Sequence, residues 1–241
     1  MPFSCLGEHL AVELPGARAV FTTRRGGVSA PPYDSLNLGF LTGDDPAAVS
    51  ANRRVLADTL GVNLAWVRQV HGSEVRVVVA PTEPGHEVPE ADGLATTSRG
   101  LGLMALAADC LPIVIAGGGA VAVVHAGWHG LAEGVIANGV ATVRRLGRGG
   151  TTAAAIGPGA GVCCYEVSEE LHWRFAGYGP EVRRGRNLDL VAVARRQLVE
   201  AGVRQVEDSG LCTMCADPGL LFSHRRDGGL TGRQAAVAWL S

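Results

Sequence analysis

The 241-residue chain contains no lysine; all 21 of its basic residues are arginine. That absence excludes a Schiff-base lysine, a pyridoxal-phosphate anchor and a P-loop ending in Lys-Ser or Lys-Thr. Aromatic residues are scarce at 5%, which leaves a core of Val, Leu, Ile and Ala. Positive charge is not in excess: 21 basic against 23 acidic residues give a net charge of −2, without the basic footprint of a nucleic-acid binder. No apolar run has the length or continuity of a membrane span. The longest, Leu111 to Val124, carries three glycines in its middle and is bracketed by Asp109 and His125. The opening residues lack a basic n-region followed by an apolar h-region, so the expected location is cytoplasmic. Six cysteines in that compartment read as thiols or metal ligands rather than staples.

Glycine, by contrast, is abundant. Its 34 residues are about twice the usual ~7% share and are scattered among Ala and Val, which points to tight turns and close backbone packing rather than a linker. With 47% hydrophobic residues, a chain of this size builds its core without staples, and residues 1–241 read as one domain.

A strand is expected over residues 18–23, followed by the polar Arg24-Arg25-Gly26-Gly27. Asp44 and Asp45 before Pro46 predict a helix start, with Gly61 closing the helix. Two β-rich runs, 65–70 and 75–80, flank the turn-like His71-Gly72-Ser73-Glu74, and 81–89 reads as an exposed loop. Residues 111–116, three glycines and 120–125 read as a hairpin of buried strands. Helices are expected over 130–146, after Ser168, over 188–201, and from Thr231 to near Leu240; 153–156 reads as a strand. Strands and helices mix without βαβ alternation, so the expected class is α+β.

Three residues stand where apolar segments break into turns: His71, Cys110 after Asp109, and His125 at the end of the hairpin. Two imidazoles and a thiolate make a three-ligand zinc set with an open position. The same residues make a Cys-His pair suited to nucleophilic catalysis. Their spacing matches no compact metal motif, and buried Cys and His are also ordinary core residues, so the residues alone leave both readings open. Cys212-Thr-Met-Cys215 has no second C-x-x-C pair; Cys163 and Cys164 are adjacent and poorly placed to complete a tetrahedron, so these thiols read as structural or incidental, neither half of a zinc ribbon nor a catalytic dithiol. Arg24-Arg25-Gly26-Gly27 and Arg225-Arg226-Asp227-Gly228 are candidate anion cradles.

Longer blocks carry a resemblance. Phe21-Thr-Thr-Arg24, Ser35-Leu-Asn37-Leu-Gly39, Gln69-Val-His71-Gly72, Ala91-Asp92-Gly93, Ala108-Asp109-Cys110-Leu-Pro112, His125-Ala-Gly-Trp128, Cys163-Cys-Tyr-Glu166 and Arg225-Arg-Asp-Gly228 appear in order along nearly the whole chain. Together they resemble the YfiH-type laccase-domain family, variously labelled multicopper polyphenol oxidase, purine nucleoside phosphorylase and peptidoglycan-editing factor. The resemblance implies an α+β fold with a mixed β-sandwich core flanked by helices. It also implies zinc at His71, Cys110 and His125. The activities it implies are phosphorolysis of adenosine, inosine, guanosine and methylthioadenosine, with hydrolytic deamination of adenosine.

On that reading Cys110, His71 and His125 are catalytic and Asp109 is a candidate proton shuttle. Arg24, Asn37, His129 and Arg225 are candidates to hold substrate or phosphate, the partners being a small nucleoside and phosphate. Two departures from the family pattern bear on this: His129 stands where relatives carry Arg, and His224 where they carry Tyr. Without a permanent fork at His129, phosphate-dependent activity is expected to be weaker or acid-shifted. A full multicopper oxidase is excluded because seven histidines with no His-x-His cannot build its clusters; a single copper in the His₂Cys set is the remaining copper alternative. A Cys-His hydrolase acting on a peptidoglycan-precursor amide and a non-enzymatic binding protein are the other classes carried forward.

Overall fold

Strand alternation organises this molecule into four layers. The computed structural model describes residues 3–83 and 87–241; residues 84–86 of the expected loop and the first two residues of the chain lie outside the described residues. One six-stranded sheet runs, in spatial order, Phe3–Leu6, His9–Leu14, Ala17–Phe21, Gln234–Leu240, Leu101–Ala107 and Asn63–Ala65. The other runs Gln205–Asp208, Ala153–Ile156, Leu111–Gly117, Ala120–Ala126, Gly93–Thr96 and Val75–Val77. Side chains one residue apart point to opposite faces. Val114 and Ala116 therefore meet Leu103, Ala105 and Ala236 between the sheets, while Ile113 and Ile115 turn outward onto the helices Val135–Leu146 and Leu190–Glu200. Behind the first sheet, Val20, Met104 and Val237 pack on Leu56 of the helix Pro46–Leu60. The result is the mixed α+β architecture with a β-sandwich core flanked by helices.

Several sequence expectations hold in detail. The first helix is capped by Asp45, whose side chain accepts from the Ala47 amide, begins at Pro46 and ends at the left-handed Gly61. The glycine-linked hairpin forms with Gly117 paired to Ala120.

Others are corrected. The expected C-terminal helix after Thr231 is instead the strand Gln234–Leu240, hydrogen-bonded on both sides to Ala17–Phe21 and Leu101–Ala107. A strand buried on both faces is apolar throughout, so it carries no period-2 signal. The helix expected over 130–146 is two helices, Trp128–Glu133 and Val135–Leu146, separated by the left-handed Gly134. Of the run 65–70 only Ala65 is strand, as the last residue of Asn63–Ala65, and of 75–80 only Val75–Val77, the two strands lying in different sheets. Among the described residues, no helix is long and apolar enough to cross a membrane.

Candidate functional site

The hairpin register assembles half of the site. Pro112 pairs with His125 and Leu111 with Ala126, so continuing the register by one pair sets Cys110 against Gly127. Glycine is required there by space: a Cβ on Gly127 would stand 2.8 Å from Cys110 Sγ and 3.5 Å from His71 Cδ2. The backbone at Gly127, φ −74° and ψ 173°, is open to any residue. Gly127→Ala is therefore expected to fold with a near-normal melting temperature while weakening metal binding by about tenfold or more, the scale of disturbed outer-shell support. Competition with a chromophoric chelator measures it; unchanged affinity would show that the sulfur has room to move.

The third residue arrives from a separate loop. Asp92, just before the strand Gly93–Thr96, accepts hydrogen bonds from the amides of Val70 (3.1 Å), His71 (2.9 Å) and Gly72 (2.7 Å). The same carboxylate lies 2.9 Å from His125 Nδ1, which leaves Nε2 for the site. It thus orients the His125 imidazole and holds the backbone of His71, which has a left-handed φ of 62°. The ring centroids of His71 and His125 are 4.8 Å apart in an edge-on arrangement. One ligand atom each from His71, Cys110 and His125 lies within 4.8 Å of the others. A soft thiolate beside two imidazoles, with a glycine opposite the sulfur, fits a transition-metal ion.

Electrostatics agrees with that donor set. Burial alone would push the Cys110 thiol up, but the neighbouring His125 and His71 outweigh it and hold the pKa at about 6. Burial likewise opposes a charge on His125, yet the Cys110 thiolate and the Asp92 carboxylate raise it to about 9. These are two views of one ion pair. After chelation, alkylation of Cys110 by iodoacetamide is expected to stay fast from pH 8 down and to fall only through about pH 6, well below the midpoint of an ordinary thiol at ~8.5. Peptide mapping across pH would check this; a midpoint near 8.5 would deny the pair.

Asp109 turns the chain from one sheet to the other with φ 90°. Its carboxylate accepts from Thr213 Oγ1 (2.6 Å), Ser223 Oγ (2.7 Å) and the Arg225 amide (2.6 Å). These bonds brace the Cys110 turn against the segment carrying Arg225.

The triad opens into a cavity of about 610 Å³, within the range of small-molecule sites. Phe40 and Trp66 form an apolar wall, and Arg53, Tyr165, Arg225 and Arg233 supply polar groups. Arg225 Nη1 donates to the Glu166 carbonyl, and its guanidinium lies 5.0 Å from the centre of the Tyr165 ring. Burial, then the Cys110 charge, pushes the Tyr165 hydroxyl up to about 12. Arg53 is sandwiched between Phe40 and Trp66, 4.3 and 4.6 Å from their ring centres, and donates twice to the Leu38 carbonyl. Its other terminal nitrogen, Nη1, is buried with no hydrogen-bond partner among the described residues. Burial lowers the Arg53 pKa to about 9.

The remaining sequence candidates are placed elsewhere. Arg24 donates to the Pro218 carbonyl, pairs with Asp34 at 3.0 Å and lies over Phe222. Asn37 is fully buried and donates to Thr42 and Asp44, both at 2.9 Å, while accepting from the Arg233 amide. His129 is exposed and stacked on Trp128. None of the three is among the cavity-lining residues, whereas Arg225 and His224 are.

Sequence reasoning passed over Asp92, Arg53, Tyr165 and Arg233 as site residues. Arg53 did leave a signal, since with Val49, Leu56 and Leu60 it falls on the apolar stripe of its helix. The cysteines bring a further correction. Cys163 and Cys164, read from sequence as too awkward to join Cys212 and Cys215, are gathered with them by loop pairing until all four sulfurs lie within 4.8 Å of one another.

The sequence profile of the family described as multi-copper polyphenol oxidoreductase laccase matches residues 18–241. A purine nucleoside phosphorylase of Streptomyces coelicolor is 42% identical over 237 residues, covering 93% of this chain and 96% of that protein. One of Corynebacterium glutamicum is 39% identical over 234 residues, covering 92% and 94%. Among solved structures, YlmD from Geobacillus stearothermophilus superposes with a TM-score of 0.87 at 34% identity, covering 99% of this chain and 98% of that one.

Proposed function

This chain belongs to the multi-copper polyphenol oxidoreductase laccase family, and on that premise we propose that it is a zinc-dependent purine nucleoside phosphorylase that also deaminates adenosine. Relatives across nearly its whole length are named purine nucleoside phosphorylases. Adenosine, inosine, guanosine and methylthioadenosine are the proposed substrates, handled by residues 1–241 as one domain in the cytoplasm, where free thiols persist. The observation that carries the reading is the buried guanidinium nitrogen of Arg53, without a partner among the described residues, in the cavity that holds the His71–Cys110–His125 set. A buried donor without a partner is costly, and a bound anion removes that cost.

The protein's own groups divide the task. Phe40 and Trp66 offer flat apolar faces to the purine. Arg53, Arg225 and Arg233 gather phosphate near the ribose, where charge develops as the glycosidic bond breaks. Asp109, its oxygens occupied by three donors, holds Cys110 and Arg225 in place. His71, Cys110 and His125 are the residues that would hold zinc, which when bound supplies Lewis acidity.

Product analysis from adenosine, with and without phosphate, tests this. Adenine and ribose 1-phosphate should appear only with phosphate, and inosine in either case. Neither product would overturn the reading. Full activity after exhaustive chelation, with loss on alkylation of the Cys110 thiolate, would instead favour the hydrolase on a peptidoglycan-precursor amide. Arg53→Met should raise the phosphate KM by about 10–100-fold, as expected for a hydrogen bond to a charged group worth ~1.5–3 kcal/mol. An unchanged KM would place phosphate elsewhere.

A further inference from the structure

Four cysteines that nucleoside chemistry does not use converge beyond the Asp109 turn. Cys163 and Cys164 sit in the turn after Ile156, and Cys212 and Cys215 in the loop after Asp208. Backbone pairing ties these segments together. The Thr213 amide donates to the Gly159 carbonyl (2.9 Å), the Gly159 amide to the Leu211 carbonyl (3.3 Å), and Gly159 bridges Cys212. The adjacent pair converges because the Cys164 and Tyr165 amides both fold back onto the Gly161 carbonyl, each at 3.0 Å. All four sulfurs then lie within 4.8 Å of one another, Cys163 and Cys215 at 3.2 Å. Two details suit a thiolate cluster. The Gly161 amide donates to Cys212 Sγ at 3.2 Å. A Cβ on Gly161 would also stand 3.1–3.3 Å from Cys212 Cβ and from the Cys163 and Cys212 sulfurs, so a larger residue there would crowd the sulfurs.

We propose that Cys163, Cys164, Cys212 and Cys215 form a second, structural metal centre, a tetrathiolate site for zinc distinct from the His71–Cys110–His125 set. Four sulfur donors complete a closed tetrahedral shell, and an all-thiolate set selects a soft ion over magnesium or calcium. Loading breaks four S–H bonds, forms four S–Zn bonds and releases four protons to solvent; no electron is transferred and no oxidant is needed. The centre would fasten the two loops that support the cavity. Thr213 donates to the Asp109 carboxylate (2.6 Å), the Ala160 amide to the Asp109 carbonyl (2.7 Å), and Tyr165 lines the cavity wall. The proposal does not depend on the nucleoside reading, because its test counts metal rather than turnover.

Full-length protein produced with zinc and desalted should contain two zinc ions per chain by mass spectrometry of the metal. Cys212→Ser/Cys215→Ser should fall to one, and His71→Ala/His125→Ala should also hold one. Cobalt loaded into the latter variant should show the sulfur-to-cobalt charge-transfer and visible bands of a tetrahedral tetrathiolate. If the double serine protein does not fold, the cobalt spectrum of the histidine variant and the single Cys163→Ser substitution, expected to lower the zinc count, decide the matter. Three results would overturn the proposal. They are an undiminished zinc count in the serine variants, no metal in the histidine variant, or a disulfide among the four cysteines that blocks alkylation until reduction in the protein as purified.

Discussion

Cys110→Ser is expected to lose the metal of the His71–Cys110–His125 set and turnover together while keeping its fold. The thiolate supplies the charged donor of the three-residue set, and a serine hydroxyl would have to deprotonate near neutral pH to replace it. Two imidazoles alone hold zinc far less tightly, so affinity should fall beyond the ~10–100-fold that losing an outer-shell partner costs. His71→Ala and His125→Ala should behave alike. The fold should survive because Leu111, Ile113 and Val124, beside these residues, are buried between the second sheet and the helices, with a further apolar core between the two sheets, unlike a zinc finger whose core is its metal. Zinc per chain, product formation and thermal melting separate the outcomes. A folded Cys110→Ser protein with the zinc count of the unaltered protein but no activity would make Cys110 a nucleophile. One that keeps both would end the site assignment.

Asp92→Ala should be the most damaging single loss of a carboxylate. Asp92 is 1% exposed. Burial works against its charge, but the His125 hydrogen bond and the Gly72 and Val70 amides more than offset that and hold its pKa below the usual carboxylate value. Removing it strands three backbone N–H groups and leaves His125 without its orienting partner. Breaking one side of such a buried network costs ~3–5 kcal/mol, and the left-handed His71 backbone loses its anchor. Metal affinity should fall by about 10–100-fold, since the His125 imidazole loses its orienting partner and the His71 backbone loses its anchor. Asp92→Asn retains one acceptor oxygen but turns an NH₂ toward existing donors, so it should be damaged less. Urea unfolding and zinc competition give both quantities. An Asp92→Ala protein of normal stability and affinity would show that the His71 loop is held by something else.

How far the site was legible depends on whether its residues share a local element. The glycine hairpin over 111–126 was readable, and its register already sets Cys110 and His125 together at the open end. The sequence marked His71 by its residue type and place in a turn, yet its approach depends on Asp92, a carboxylate 21 residues away that gathers three amides at once. Arg24, Asn37 and His129 carry suitable chemistry, but only packing decides whether a polar group faces a cavity or braces a loop, and none of these three is among the residues that line the cavity.

Local chemistry determined the capped first helix, the hairpin and the α+β class, because caps, glycine turns and strand alternation act over a few residues. Tertiary structure alone decided that Gln234–Leu240 is a central strand rather than a helix, because its partners are more than 100 residues away and a strand covered on both faces has lost its alternation. It alone decided the gathering of four cysteines as well. The 163–164 turn and the 212–215 loop meet through backbone pairing between Gly159 and the 211–213 segment, a long-range contact that no spacing along the chain encodes.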